Sequence, residues 1–305
     1  MTRYILYRLA YSVIVVLGAV TVVFFLLYLT GDPVGQLLPL DATPADREAL
    51  RSQLGFDQPF YIQYFRYISR LAHGDFGTSL RYRQDVMPLI LQRVPATLKL
   101  TAASMLVALL IAIPAGIISA LKRNTLIDSV TMFFALLGQC MPNFWLGLML
   151  IVLFAVTWRI LPPAGSGTWK HLVLPAITLG SYSAAILARL LRSSLLEVLN
   201  QDYIRTAQAK GLRNRTVLWI HAFRNASIPL VTIIGIQVGV LMGGAIVTEY
   251  VFAYPGLGRL VLEAISARDF PVVQASVLFI AVTISVVNLL VDISYVILDP
   301  RIRYD

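Results

Sequence analysis

Apolar residues along the chain fall into six separated blocks of about twenty residues or more, near 9–29, 100–120, 129–156, 172–191, 227–248 and 272–298. Each is long enough to cross a hydrocarbon core about 30 Å thick. None shows the alternation of a barrel strand, and backbone groups in lipid must be satisfied within the segment, so the pattern predicts six membrane-spanning helices. Polar stretches between the blocks carry their own signals. Thr43, Pro44 and Asp46 read as a capped helix start with Gly55 as its stop, and a second helix is expected from Pro59 to about Ala72. The second helix has a wide surface of Phe60, Tyr61, Tyr64, Phe65, Tyr67, Ile68 and Leu71. That surface either packs on the spans and the interface, where tyrosine is favoured, or meets an external partner.

Composition agrees with the pattern: 58% of residues are hydrophobic, 13% are charged, and the mean hydropathy is +0.75. Such a chain is an integral membrane protein. Its basic residues set an expected orientation. Arg3 and Arg8, Lys122 and Arg123, Arg301 and Arg303 cluster at the termini and after the second block. The loop 192–224 adds Arg192, Arg205, Lys210, Arg213, Arg215 and Arg224 against Glu197 and Asp202. Both termini and this loop are therefore expected in the cytoplasm. The loop 31–96, with seven arginines against seven acidic residues, is expected outside. A net charge of +9 is explained by this placement and requires no nucleic acid. The first block lacks a small-x-small cleavage site before Gly31, Asp32 and Pro33 and reads as a signal anchor.

Soluble catalytic chemistry is hard to find. His73, His171 and His221 lie in three different loops without ligand spacing, no Ser-His-Asp arrangement is suggested, and a single cysteine, Cys140, forbids an intrachain disulfide. No G-x-x-x-x-G-K-[ST] occurs, so any use of ATP must run through another chain. The run Tyr254-Pro255-Gly256-Leu257-Gly258 reads as a tight outward turn.

Within the spans, Gln139, Pro142 and Asn143 place hydrogen-bonding groups and a kink near mid-membrane, where polar side chains face a bundle interior or a cavity. Gly235, Gly239 and Gly243, with Gly244 adjacent, form a stripe on one helix face that either packs closely on a neighbour or lines a passage. Asn288 and Asp292 share a face of the last block, with Arg189 or Arg192 as expected partners of the acid.

The basic loop carries helical patterning, a glycine stop at Gly211 and a proline restart at Pro229. Its segment Asp202-Tyr203-Ile204-Arg205-Thr206-Ala207-Gln208-Ala209-Lys210-Gly211 resembles the coupling segment of bacterial ABC-importer permeases of the dipeptide, oligopeptide and nickel subfamily. The resemblance extends through Gly31-Asp32-Pro33, Leu54-Gly55-Phe56-Asp57-Gln58-Pro59, Gly74-Asp75-Phe76-Gly77-Thr78-Ser79, Pro142-Asn143-Phe144-Trp145, Glu249-Tyr250-Val251-Phe252, Pro255-Gly256-Leu257-Gly258 and Asp299-Pro300-Arg301. It implies an all-α integral membrane protein of type I ABC importer permease fold: six transmembrane helices with an extracytoplasmic helical insertion after the first. The corresponding division is 1–30 as the first membrane helix, 31–96 as the insertion, and 97–305 as a five-helix core containing the coupling loop 192–224.

The resemblance further implies a non-enzymatic half of a translocation pathway for peptides or a related small solute in the bacterial inner membrane. The chain itself would need no cofactor, ATP and Mg being bound by partners. Those partners would be a homologous second permease, two ATP-binding subunits and an extracytoplasmic substrate-binding protein. Asp202, Tyr203, Arg205, Thr206, Ala207, Ala209, Lys210 and Gly211 would meet the ATPase, with Ala207 and Ala209 small enough for close seating. Gln139, Pro142, Asn143, Gly235, Gly239 and Gly243 are the pathway candidates. An ion-coupled secondary transporter is the alternative, but no convincing internal repeat is found.

Overall fold

The computed structural model describes residues 2–30, 34, 38 and 42–298, with the backbone alone at 2–6, 54, 244 and 291–298. Gly31-Asp32-Pro33, Asp299-Pro300-Arg301 and the side chains of Arg3, Asp292 and Arg303 lie outside that description. Twelve helical segments run through the described residues: α1 (Thr2–Leu29), α2 (Pro44–Leu54), α3 (Phe60–Ala72), α4 (Val86–Leu121), α5 (Leu126–Cys140), α6 (Asn143–Thr157), α7 (Lys170–Leu199), α8 (Asp202–Ala209), α9 (Asn214–Ala226), α10 (Ile228–Val251), α11 (Leu257–Ser266) and α12 (Phe270–Leu298).

Four helices (α1, α4, α7 and α12) are each long and apolar enough to cross a membrane unaided. Two bent pairs bring the number to six if each pair is one span. The helices α5 and α6 meet at 107°, and α9 meets α10 at 52°. The first of these breaks is sharper than the kink the sequence suggests. Met141 is extended (φ −101°, ψ 134°) and Pro142 cannot donate to a helix ladder, so α5 stops and α6 restarts at Asn143. The second expected span also starts earlier than predicted, at Val86. At 36 residues α4 is about 54 Å long, well beyond the hydrocarbon thickness.

Two compact units divide the chain. The first comprises residues 1–96 and 255–286. Here Thr43 caps α2 through a complete capping box with Asp46, whose carboxyl this hydrogen bonding holds below the usual range. Gly55 ends α2 at φ +76°. The aromatic surface of α3 packs in part on α1: Tyr64 meets Phe24 and Phe25, Tyr67 stacks on Phe24, and the Tyr64 hydroxyl shares a 2.8 Å hydrogen bond with Thr21. Phe60, Tyr61 and Phe65 remain exposed.

Residues 254–258 do not simply turn back. They lead into α11, whose Leu257, Leu260 and Ala264 pack with Val86, Leu89 and Ile90 of α4 and with Phe270, Val272 and Val273 of α12. One buried carboxylate fastens this unit. Asp269 accepts from Ser79 Oγ and from the backbone N–H groups of Leu80 (3.1 Å) and Arg81 (3.2 Å), pinning the turn that enters α4.

The second unit comprises 97–254 and 287–305 and is built around α7. The helices α5, α6 and α10 all pack against it. Its buried face is rich in small residues, Ala176, Gly180, Ser183, Ala184, Ala185 and Ala188, which allow backbones to approach where lipid supplies no hydrophobic drive for association. A Cβ at Gly180 would lie 2.4 Å from Ser104 O, and one at Gly138 of α5 would lie 2.6 Å from Ser181 Cβ. Both contacts are made by glycines outside the stripe on α10. Gly235 is buried and Gly239 half-buried, whereas Gly243 is exposed with nothing within 4 Å of an added Cβ.

Candidate functional site

The basic loop folds into three pieces. Helix α7 runs on to Leu199, α8 occupies Asp202–Ala209, and α9 returns toward α10 with a π-helical stretch at Val217–Phe223. Gln201, extended at φ −75° and ψ 148°, starts α8 with Asp202 in its first turn, where a negative charge favours the helix dipole. Gly211 ends it in the left-handed region at φ +78°, its N–H bonded to Gln208 O at 2.9 Å.

Amphipathicity determines how α8 sits. Ile204 and Ala207, three residues apart, are 1% and 7% exposed, and α8 packs on the π stretch of α9. Ala207, expected from the resemblance to let the helix seat closely, faces the chain's own interior. Its small size serves the packing of α8 on α9. Asp202, Tyr203, Arg205, Thr206, Ala209, Lys210 and Gly211 stay exposed. Arg205 and Asp202 approach at 3.5 Å, too solvated to add much stability. The Tyr203 hydroxyl accepts from Asn225 Nδ2 at 3.0 Å, a second tie between α8 and α9. The result is a short rigid helix offering a polar outer face, braced from behind by an apolar pair.

At the same end of α7, Arg192 makes a fork. Its Nη2 and Nε reach Asp128 Oδ2 and Oδ1 at 2.7 and 3.0 Å, and Nε also meets Ser119 Oγ at 2.8 Å. Asp128 additionally accepts from Ser119 Oγ and from the backbone N–H of Asn124 at 3.1 Å. This cluster joins the end of α4, the start of α5 and the end of α7, ten residues before α8 begins. Arg192 therefore has a described partner in Asp128, and the suggested pairing with Asp292 falls on a side chain outside the described residues. Nothing in the sequence spacing singles out the 128–192 pair, although an acid at the first turn of a span is a signal in itself.

Within the membrane core, the pathway candidates separate into two sets. Gln139 near the end of α5 accepts from Arg189 Nη2 at 3.2 Å, and Pro142 and Asn143 form the corner between α5 and α6. Gly235, Gly239 and Gly243 lie along α10. A polar pair that the sequence reading missed joins α7 and α10: Ser183 Oγ donates to Gln237 Oε1 at 2.9 Å, with both residues buried. A second is Glu249, fully buried, whose Oε1 accepts from Thr97 Oγ1 at 2.6 Å. Phe252, near Glu249, fills the space over Gly147 and receives the Gly165 N–H on its carbonyl at 2.8 Å. Among the described residues no group of three or more His, Cys, Asp or Glu side chains could hold a metal ion.

Residues 112–304 match the family described as binding-protein-dependent transport system inner membrane component, and residues 1–101 match the N-terminal region of the same systems' membrane component. The chain belongs to this permease family. The dipeptide transport system permease protein DppB of Alkalihalophilus pseudofirmus is 41% identical over 333 residues, covering 100% of both chains. DppB of Escherichia coli K12 is 40% identical over 337 residues, covering 100% of this chain and 99% of its own. The glutathione transport system permease protein GsiC of the same strain is 43% identical over 306 residues with 100% coverage of both.

Solved structures agree on the fold. An inward-facing MetNI methionine ABC transporter chain superposes with a TM-score of 0.60 at 19% identity, over 70% of this chain and 97% of that one. A chain of an amino acid ABC transporter gives 0.53 at 15% identity, over 68% and 94%. The architecture is thus that of type I ABC importer permeases. As a member of this family the protein is a multi-pass inner-membrane permease that works with ATPase and binding-protein partners, and ATP is bound and hydrolysed by the former.

Proposed function

We propose that this permease carries di- or oligopeptides, or a peptide-like solute such as glutathione, and that α8 with Gly211 transmits the closure of ATPase subunits to the membrane helices. The full-length similarity to DppB and GsiC supports the cargo class. One observation carries the coupling role: α8 is exposed on its polar face and locked from behind by Ile204, Ala207 and the Tyr203–Asn225 bond. A push on the outer face would pass without slack into α9 and α7. Asp202, Tyr203, Arg205, Thr206, Ala209 and Lys210 form the contact face, while Ala207 supports it from within.

In the assembly proposed here the chain pairs with a second, homologous permease and with two ATP-binding subunits, and both termini and the basic loop lie in the cytoplasm. The open side of Gly243 suits an approach by that second permease. Gln139, Pro142, Asn143, Gly235 and Gly239 are proposed to border the passage, with Gln237 and Ser183 adjoining them. Ion-coupled secondary transport, the alternative considered from sequence, has no support from the family or the fold.

The test is reconstitution with the partner subunits and binding protein, measuring ATP hydrolysis and peptide uptake together. Arg205→Glu should abolish peptide-stimulated hydrolysis while the chain still inserts and folds. Fully coupled hydrolysis and uptake in both Arg205→Glu and Lys210→Glu would place the contact elsewhere.

A further inference from the structure

A cavity of about 890 Å³ opens in the first unit between α1, α2, α3, the 75–83 turn and the start of α12. Its size is that of a small-molecule site. The wall is mixed. Phe24, Leu27 and Tyr28 of α1 form an apolar side, and elsewhere Arg51, Arg66, Arg70 and Arg83 stand among apolar residues that include Phe56, Phe76 and Phe270. Among the described residues Asp75 is the one carboxylate in the lining, and Arg70 pairs with it at 2.7 Å, holding its carboxyl below the usual range. The cavity is therefore cationic overall.

Two details point to an occupant rather than to a packing gap. The Tyr67 hydroxyl is buried without a hydrogen-bond partner among the described residues, and Tyr67 lines the cavity. A polar atom so placed costs free energy unless a ligand or water meets it. Burial raises the phenol well above its ordinary range, so it stays a neutral donor. Gln63, Arg66, Tyr67 and Arg70 also share one face of α3, and the absence of a side chain at Gly55 leaves the room that the Arg66 guanidinium occupies, 2.9 Å from where a Cβ would stand.

We propose that this cavity binds the phosphate headgroup of an anionic phospholipid from the leaflet on the insertion's side. Arg66 and Arg83 supply charge, Tyr67 donates a hydrogen bond, and the acyl chains run down α1 past Phe24 and Tyr28. The apolar wall favours a lipid over a free anion because it belongs to a helix that itself faces lipid, with Phe25, Leu26 and Leu29 exposed beside it. Phe60, Tyr61 and Phe65 extend the same interfacial surface.

The full-length chain in nanodiscs of phosphatidylcholine with added phosphatidylglycerol, analysed by native mass spectrometry after detergent release, tests this. Phosphatidylglycerol should be retained over phosphatidylcholine, and Arg66→Gln or Arg83→Gln should weaken retention about fivefold each. Gln274→Trp, which fills the cavity from α12, should do the same with an unchanged melting temperature, separating loss of site from loss of fold. Equal retention of both lipids, or no effect of all three variants, would overturn the proposal. So would displacement by inorganic phosphate as effectively as by phosphatidylglycerol, which would indicate a soluble-anion site. A photo-cross-linker at position 66 that captures a docked protein instead of lipid would overturn it too.

Discussion

Removing the Arg192 guanidinium would strip Asp128 of two charge-assisted hydrogen bonds, at 2.7 and 3.0 Å, in a place where the carboxylate side chain is only 8% exposed. Ser119 Oγ and the Asn124 N–H would remain, so the acid is not orphaned outright. Breaking a fully buried ion pair from one side costs about 3–5 kcal/mol. Arg192 keeps 28% of its side chain exposed, and the surviving donors offset part of the loss, so Arg192→Ala should cost roughly 2–3 kcal/mol. That is a fall of about 30- to 150-fold in the folded ratio. Arg192→Lys should recover less than half of it, because an ammonium cannot reproduce the fork.

A double-mutant cycle with Asp128→Ala, read by denaturant or thermal unfolding of the solubilised chain, measures the pair itself. The expected coupling is at least 1 kcal/mol, within the range for residues in one network. Because the cluster ties α4, α5 and α7 together ten residues before α8, Arg192→Ala should also raise the ATP hydrolysed per peptide imported. Single and double variants that add within about 0.5 kcal/mol would refute the idea that these groups act as one joint.

Gly180→Ala should lower the yield of folded chain through overpacking of about 1–3 kcal/mol, since its Cβ would meet Ser104 O at 2.4 Å, whereas Gly243→Ala should leave the melting temperature of the isolated chain unchanged. If Gly243→Leu nevertheless impairs transport, co-purification with the proposed second permease should fall in parallel. Ile204→Ala should remove the apolar brace behind α8 at a local cost of about 2–4 kcal/mol, seen as faster amide exchange across 202–211 and weaker peptide-stimulated hydrolysis, with the outer face chemically intact. Gly211→Ala forces a β-carbon into φ +78° and should cost about 1 kcal/mol, detectable as fraying of the last turn of α8 by the same exchange measurement.

Local chemistry explains what the sequence made visible. The cap at Thr43, the stops at Gly55 and Gly211, the proline at the start of α10 and the spanning blocks all depend on residues within a few positions of one another. The missed features depend on partners far along the chain. Helix α11 is ten residues long, and its burial requires α4 and α12, so its opening glycines read as a turn. The 107° corner at Met141-Pro142 needs α7 beside it to be more than a kink. Likewise, the stripe Gly235, Gly239 and Gly243 is a real helix face, but periodicity cannot tell which end of it a neighbour covers. For the segment 202–211, the pattern located the helix and its end, while the inward turn of Ala207 followed from packing on α9.

The Asp269 clasp bears on how the protein is made. Its carboxylate holds Ser79 Oγ, 190 positions earlier in the chain, together with the N–H groups of Leu80 and Arg81. A ribosome adding about 5–20 residues per second reaches Asp269 roughly 10–40 s after Ser79. Throughout that interval the 78–82 turn lacks its fastener, while α1 and the capped helix α2 already have the residues they need. A nascent chain halted before Asp269 should therefore be cut by protease at this turn, and completion of the last helix should end that susceptibility.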